Sequence, residues 1–170
     1  MPPNCTLAIN ISPVQFKHTL FVQRFTAALK DVKDQVNQLI LEITENTFIE
    51  NLDESLVKIN SLKEQGVTFS LDDFGSGFSS LNYLTVLPIN EIKIDKSFID
   101  DIVKDKRNTA ILTAIIGIAT ELDLNLVIEG VESIDQVTLL KKLGAEVYQG
   151  FYFSKPLGET DLISFVLSHR

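Results

Sequence analysis

The sequence predicts an α/β protein: an incomplete (β/α)8 barrel of the TIM type, with about six parallel strands and flanking helices. Three observations predict it. Short apolar runs alternate with amphipathic helical segments along the whole chain, the pattern of right-handed crossovers and a parallel sheet. The runs are apolar almost throughout, as strands buried on both faces are. Each run also ends on a polar residue, which in a parallel sheet gathers these groups on one rim. A barrel draws its site from every βα loop, whereas a doubly wound sheet uses one switch point, so six polar ends favour the barrel. A full barrel needs eight strands and roughly 250 residues; this 170-residue chain supplies six units.

The elements follow in order. Strand Thr6–Ile11 precedes a helix near Lys17–Val32, with Phe21, Phe25 and Leu29 at helical spacing. Strand Leu39–Ile43 precedes a helix near Asp53–Gln65, whose Leu56, Ile59 and Leu62 share a face and which Gly66 closes. Strand Val67–Leu71 runs into the glycine-bearing loop Asp72–Ser80. Strand Glu91–Ile94 leads to a short helix near Lys96–Val103 and a long one near Asn108–Leu122. Strand Asn125–Glu129 leads to a helix near Ile134–Leu143, closed by Gly144. Strand Glu146–Gln149 passes through Pro156 to a last helix near Glu159–Ser168. No repeat or linker interrupts this pattern, so residues 1–170 read as one domain.

Composition narrows the function. A content of 45% hydrophobic and 22% charged residues is that of a globular protein. The net charge of −8 argues against binding nucleic acid polymers or anionic membranes. Cys5 is the only cysteine, which excludes an intrachain disulfide and fits a cytoplasmic setting. Met1-Pro2-Pro3-Asn4 has no signal-peptide pattern, and no run has the length of a membrane span. The two histidines, His18 and His169, lie on a helix and at the terminus and are expected at the surface, so a histidine-based zinc site is not expected.

The polar strand ends carry the chemistry. They are Asn10, Glu42, Asp72-Asp73, Lys93 with Asp95, Glu129 and Gln149. Adjacent carboxylates repel, and keeping Asp72 and Asp73 ionised in a partly buried place needs a cation. Two acids at a strand end suit a two-metal hydrolase, and hard oxygen ligands select Mg²⁺ or Mn²⁺. The bland alternative is a turn or helix cap. Glu42 and Glu45 stand three apart, either as ligand and brace or as part of a capping box. Glu129 and Glu132 repeat that spacing. Lys93 inside a strand is costly unless paired; it either helps a reacting oxygen or pairs with Asp95.

Six motifs, Asn10-Ile11-Ser12, Glu42-Ile43-Thr44-Glu45, Asp72-Asp73-Phe74-Gly75-Ser76-Gly77, Ile92-Lys93-Ile94-Asp95, Glu129-Gly130-Val131-Glu132 and Gln149-Gly150-Phe151, closely resemble in order those of the EAL-domain cyclic di-GMP phosphodiesterases. The resemblance implies hydrolysis of cyclic di-GMP to linear pGpG with two Mg²⁺ or Mn²⁺ ions. By motif, Asn10, Glu42 and Asp72 resemble ligands of one ion, and Asp72, Asp73 and Glu129 ligands of the other. Lys93, Glu129 and Gln149 resemble catalytic residues, Lys93 holding or helping to deprotonate the water. Glu45 resembles the anchor of the loop Asp72–Ser80, and Glu132 a residue supporting the ligands from behind. The family's Glu-Ala-Leu stretch, with its arginine, is absent. The chain therefore resembles an EAL domain lacking its first two β/α units, one metal ligand and a phosphate-binding arginine. Weak or absent turnover is expected, along with a parent fused to a sensory or GGDEF domain. Self-association is expected through the open edges at Thr6–Ile11 and Glu146–Gln149 or the helices near the Asp72 loop. The alternative function is a noncatalytic module that binds cyclic di-GMP or another protein.

Overall fold

The structure is a computed structural model and describes residues 5–48, 51–75 and 81–168, with residues 31 and 33 described by their backbone alone. Six strands form one sheet in sequence order: β1 (Leu7–Asn10), β2 (Leu39–Thr44), β3 (Thr68–Phe74), β4 (Glu91–Ile94), β5 (Asn125–Ile128) and β6 (Val147–Tyr148). Every neighbouring pair is parallel. Seven α-helices lie between and after them among the described residues: α1 (Pro13–Lys17), α2 (Phe21–Leu29), α3 (Leu52–Lys63), α4 (Leu81–Val86), α5 (Lys106–Glu121), α6 (Ile134–Leu143) and α7 (Glu159–Ser168). The α/β architecture predicted from the alternation of apolar runs with helical segments is the one observed. No helix among the described residues is long and apolar enough to cross a membrane.

Alternation along the strands separates two faces. Leu41, Ile43, Phe69, Leu71, Ile92 and Ile94 are fully buried in the core. Burying each contributes about 1.5–3 kcal/mol. The intervening residues Glu42, Ser70 and Lys93 share the other face. That face is concave. β2 and β5 are three strands apart, roughly 14 Å in a flat sheet, yet carboxylates from the ends of both reach Lys93 on β4. The sheet therefore curls into a half-barrel. β1 and β6 each have one strand partner among the described residues, leaving two open edges.

Helix boundaries follow local chemistry. Ser12 and Gln15 form a capping box at α1, with Pro13 in its first turn. The helix expected continuously over Lys17–Val32 is broken instead, because His18 adopts an extended backbone and its Nδ1 accepts the Leu20 N–H at 3.1 Å. The Phe21, Phe25 and Leu29 stripe lies on α2, and 3-10 turns over Lys30–Gln38, kinked at Val32, complete the connection. On α3, Lys58 is buried: Nζ donates to the Phe16 carbonyl at 2.9 Å and pairs with Glu54 at 2.8 Å. It lies 5.6 Å from the Phe16 ring centroid, joining α3 to α1. The short helix expected near Lys96–Val103 is a 3-10 turn over Lys96–Phe98, capped by Asp95, whose carboxylate accepts the Ser97 N–H at 2.9 Å. Ser133 and Gln136 make a second capping box at α6, and Gly144 closes that helix with φ +95°. α7 has no buried residue, and Leu162, Ile163 and Leu167 stand about half exposed.

Candidate metal centre

Lys93 is the hub of the polar rim. It is 5% exposed, and its Nζ lies 2.6 Å from Glu129 Oε1, 2.7 Å from Glu42 Oε1 and 3.2 Å from Asp72 Oδ1. The three acids come from the carboxyl ends of β2, β3 and β5. Asp95, the alternative partner considered from the sequence, caps the next turn instead. Burial opposes the charge on Lys93, but hydrogen bonds to Glu129 and Glu42 and the Asp72 charge outweigh it, so its pKa lies above that of an ordinary lysine. The three carboxylates favour the charged ammonium.

A bulge puts the adjacent aspartates on the same rim. In an ideal strand Asp72 and Asp73 point to opposite faces. Here Leu71 pairs with Ile92 and Phe74 with Ile94, so β3 spends one extra residue, and Asp73 takes up a left-handed backbone with φ +55°. Asp tolerates that conformation better than most residues. As a result, carboxylate oxygens of Asp72, Asp73 and Glu129 all lie within 4.8 Å of one another. Burial first, then the Asp72 and Asp95 charges, push Asp73 above the usual carboxylate range. Burial also raises Glu129, against the opposing pull of Lys93.

These residues fit a divalent cation. Three carboxylates contact one ammonium and a fourth, Asp73, lies beside Asp72 and Glu129, leaving excess negative charge. Asp72 Oδ1 is buried and meets Lys93 Nζ at 3.2 Å without an aligned hydrogen bond, which leaves it lone pairs for a cation. The donors are all hard oxygens, the set that Mg²⁺ and Mn²⁺ take.

The other expected residues are placed variously. Asn10 pairs in register with Glu42 and is exposed at the β1 edge. Gln149, whose N–H donates to the Ile128 carbonyl at 2.8 Å, is exposed and lines a groove with Phe151, Leu157 and Phe165. Glu45 opens a 3-10 turn after β2, with Oε1 buried and without a hydrogen bond among the described residues. Thr44 makes no side-chain cap there, so the capping-box reading of Glu42 to Glu45 fails. Residues 76–80 of the loop Glu45 is expected to anchor, Gly77 among them, lie outside the described residues, as do Met1 to Asn4 and His169. His18 is exposed. Glu132 pairs with Lys96 at 2.6 Å. Sequence reasoning passed over Glu91, half-buried two residues before Lys93 and therefore on its face. Burial raises its pKa, against the opposing pull of the neighbouring Ser70 hydroxyl and the Lys93 charge. Strand alternation within Glu91-Ile92-Lys93 was the available signal.

With this geometry established, comparison with known proteins identifies the class. Residues 1–156 match the EAL domain. The chain is 40% identical over 160 residues to the bifunctional diguanylate cyclase/cyclic di-GMP phosphodiesterase MucR of Pseudomonas aeruginosa, covering 94% of this chain and 23% of MucR. It superposes on a solved structure of the PaMucR phosphodiesterase in complex with c-di-GMP with a TM-score of 0.86 at 40% identity, covering 92% of this chain and 64% of that one. A manganese/cy-diGMP complex of Klebsiella pneumoniae BlrP1 gives a TM-score of 0.81 at 30% identity, covering 89% of this chain and 39% of that one. The protein belongs to the EAL-domain family. It spans about a fifth of the length of the curated relatives it matches.

Proposed function

We propose that this chain is the greater part of a metal-dependent cyclic di-GMP phosphodiesterase domain, lacking two β/α units. Its parent reaction opens the cyclic dinucleotide to linear pGpG. Water oxygen joins phosphorus, one P–O ester bond breaks, and the freed sugar hydroxyl takes the proton. The observation carrying this reading is the cluster of Glu42, Asp72, Asp73 and Glu129 around Lys93 at one mouth of the half-barrel, in a chain of the EAL family.

Asp72, Asp73 and Glu129 would hold one Mg²⁺ or Mn²⁺ ion, and Glu42, Asp72 and Asn10 a second. Such ions supply Lewis acidity toward a phosphoryl oxygen and the attacking water. Lys93 fixes the carboxylates by three charge-assisted contacts and keeps a positive charge beside the phosphate. It holds the attacking water or helps to deprotonate it. Gln149 contributes a polar contact at the rim. Glu45 braces the Asp72 loop, and Glu132 steadies the segment after Glu129.

Titration calorimetry tests the reading. Mn²⁺ is expected to bind the chain, and Asp72→Asn or Glu129→Gln to weaken it strongly. Cyclic di-GMP is expected to be cleaved slowly or not at all by the chain alone, followed by separation of nucleotides. An ordinary turnover rate would contradict the missing-unit reading. Tight nucleotide binding that ignores metal would favour a noncatalytic binding module. The open edges at β1 and β6 and the exposed apolar residues of α7 support self-association; light scattering showing a strict monomer at high concentration would refute it.

A further inference from the structure

The 3-10 turn Lys96–Phe98 touches both acid-bearing loops. On one side the Phe98 ring lies on Gly75, just after β3; a Cβ there would stand 2.4 Å from Phe98 Cε2 and 2.7 Å from Cζ. On the other side the Lys96 stem lies on Gly130, directly after Glu129; a Cβ there would stand 2.4 Å from Cγ and 2.6 Å from Cβ of Lys96. Both glycines have positive φ, +95° and +69°. Each contact is closer than any other residue type allows.

The turn itself is firmly rooted. The Asp95 carboxylate accepts the Ser97 N–H, and the Ile99 N–H donates to the Lys96 carbonyl at 2.8 Å. Ile99 is fully buried, and its carbonyl accepts from Gln136 Nε2 of α6 at 3.0 Å. Lys96 Nζ reaches Glu132 at 2.6 Å and so ties down the far end of the β5 loop.

We propose that Lys96 and Phe98 are positioning residues: their turn is a spacer that sets the distance between the Asp72-Asp73 carboxylates and Glu129. The spacer's effect on cations rests on the reading of those acids as a metal centre; its effect on the loops does not. Residues that orient ligands from outside typically change metal affinity about 10- to 100-fold when removed.

The test uses the 170-residue chain with Phe98→Ala, Lys96→Ala and the conservative Phe98→Leu. Amide hydrogen exchange is read without metal at Phe74, Glu129 and Val131, and Mn²⁺ affinity from the free-ion electron paramagnetic resonance signal. Phe98→Ala is expected to speed exchange about tenfold not only at Phe74 but across the turn at Glu129 and Val131. Lys96→Ala, at an exposed side chain, is expected to act in the reverse direction, speeding Phe74. Both weaken Mn²⁺ by about tenfold or more, and Phe98→Leu restores most of the loss. If each alanine variant disturbs only its own loop, or if Mn²⁺ affinity stays within about twofold of the parent, the spacer is overturned. If the parent takes up no Mn²⁺, the metal-centre reading fails and the exchange arm alone decides the spacer. Should Phe98→Ala not fold, Phe98→Leu and Lys96→Ala carry the decision.

Discussion

Replacing Lys93 with methionine keeps the length of the side chain and removes the ammonium that three carboxylates share at 2.6, 2.7 and 3.2 Å. Lys93 and Glu42 are each 5% exposed, so water cannot easily take over. Breaking a buried ion pair by removing one partner costs about 3–5 kcal/mol, which for a domain of this size lowers the melting temperature by roughly 6–20 °C. The deficit depends on pH with a definite sign. Burial already holds Glu129 above its ordinary value of 4.5, and losing the ammonium raises it further. A folded pKa above the unfolded one gives stability that is present below the unfolded value and lost as pH rises through the folded value. The variant's deficit is therefore small in acid and full at neutral pH. Divalent cation should repair it, by about 2.7 kcal/mol at a hundred times the dissociation constant. The parent should gain less, because its own ammonium competes. Urea denaturation followed by circular dichroism, across pH and with or without Mn²⁺, reads all three effects. A variant as stable as the parent at neutral pH, with no added pH or cation dependence, would refute the buried clamp.

Three further substitutions probe other parts of the argument. Asp73→Gly should keep the β3 bulge, whereas Asp73→Val should cost about 1–2 kcal/mol more because a β-branched residue resists φ +55°; equal stability of the two by urea denaturation would sink the strain argument. Lys58→Ala removes the bond to the Phe16 carbonyl, the Glu54 pair and the ring contact. It should cost about 2–3 kcal/mol, and a loss of less than about 0.5 kcal/mol would show the lysine to be a passenger. Glu91→Gln should stabilise the chain at neutral pH, because burial raises the folded pKa above 4.5 and makes ionisation costly; the gain should vanish in acid, and thermal melts showing the opposite trend would exclude the explanation.

The strands were legible because each packs an apolar run against a polar terminus, a signal that survives without tertiary knowledge. Their rim was legible for the same reason: Glu42, Asp72, Lys93 and Glu129 occupy equivalent ends of parallel strands. Other features were not. Leu81–Val86 forms α4, yet six residues that include Thr85 and Val86 carry too little helical period to stand out. The break at His18 depends on one side chain accepting a neighbouring N–H, which periodicity does not encode. Strand alternation alone would separate Asp72 from Asp73, and only the extra residue of the bulge reunites them. Lys58 reads as a solvent-facing lysine, because its burial is decided by a carbonyl 42 positions away in sequence.

The acids that meet at Lys93 arrive from β2, β3 and β5, separated by long stretches of intervening helix. No local segment holds more than the Asp72-Asp73 pair of the constellation, so it comes into being only after distant parts of the chain have found one another, a slow, high-contact-order event. Opening any one β/α unit would scatter it. Cation affinity in this protein should therefore report, more sharply than helix content does, whether the entire sheet is assembled.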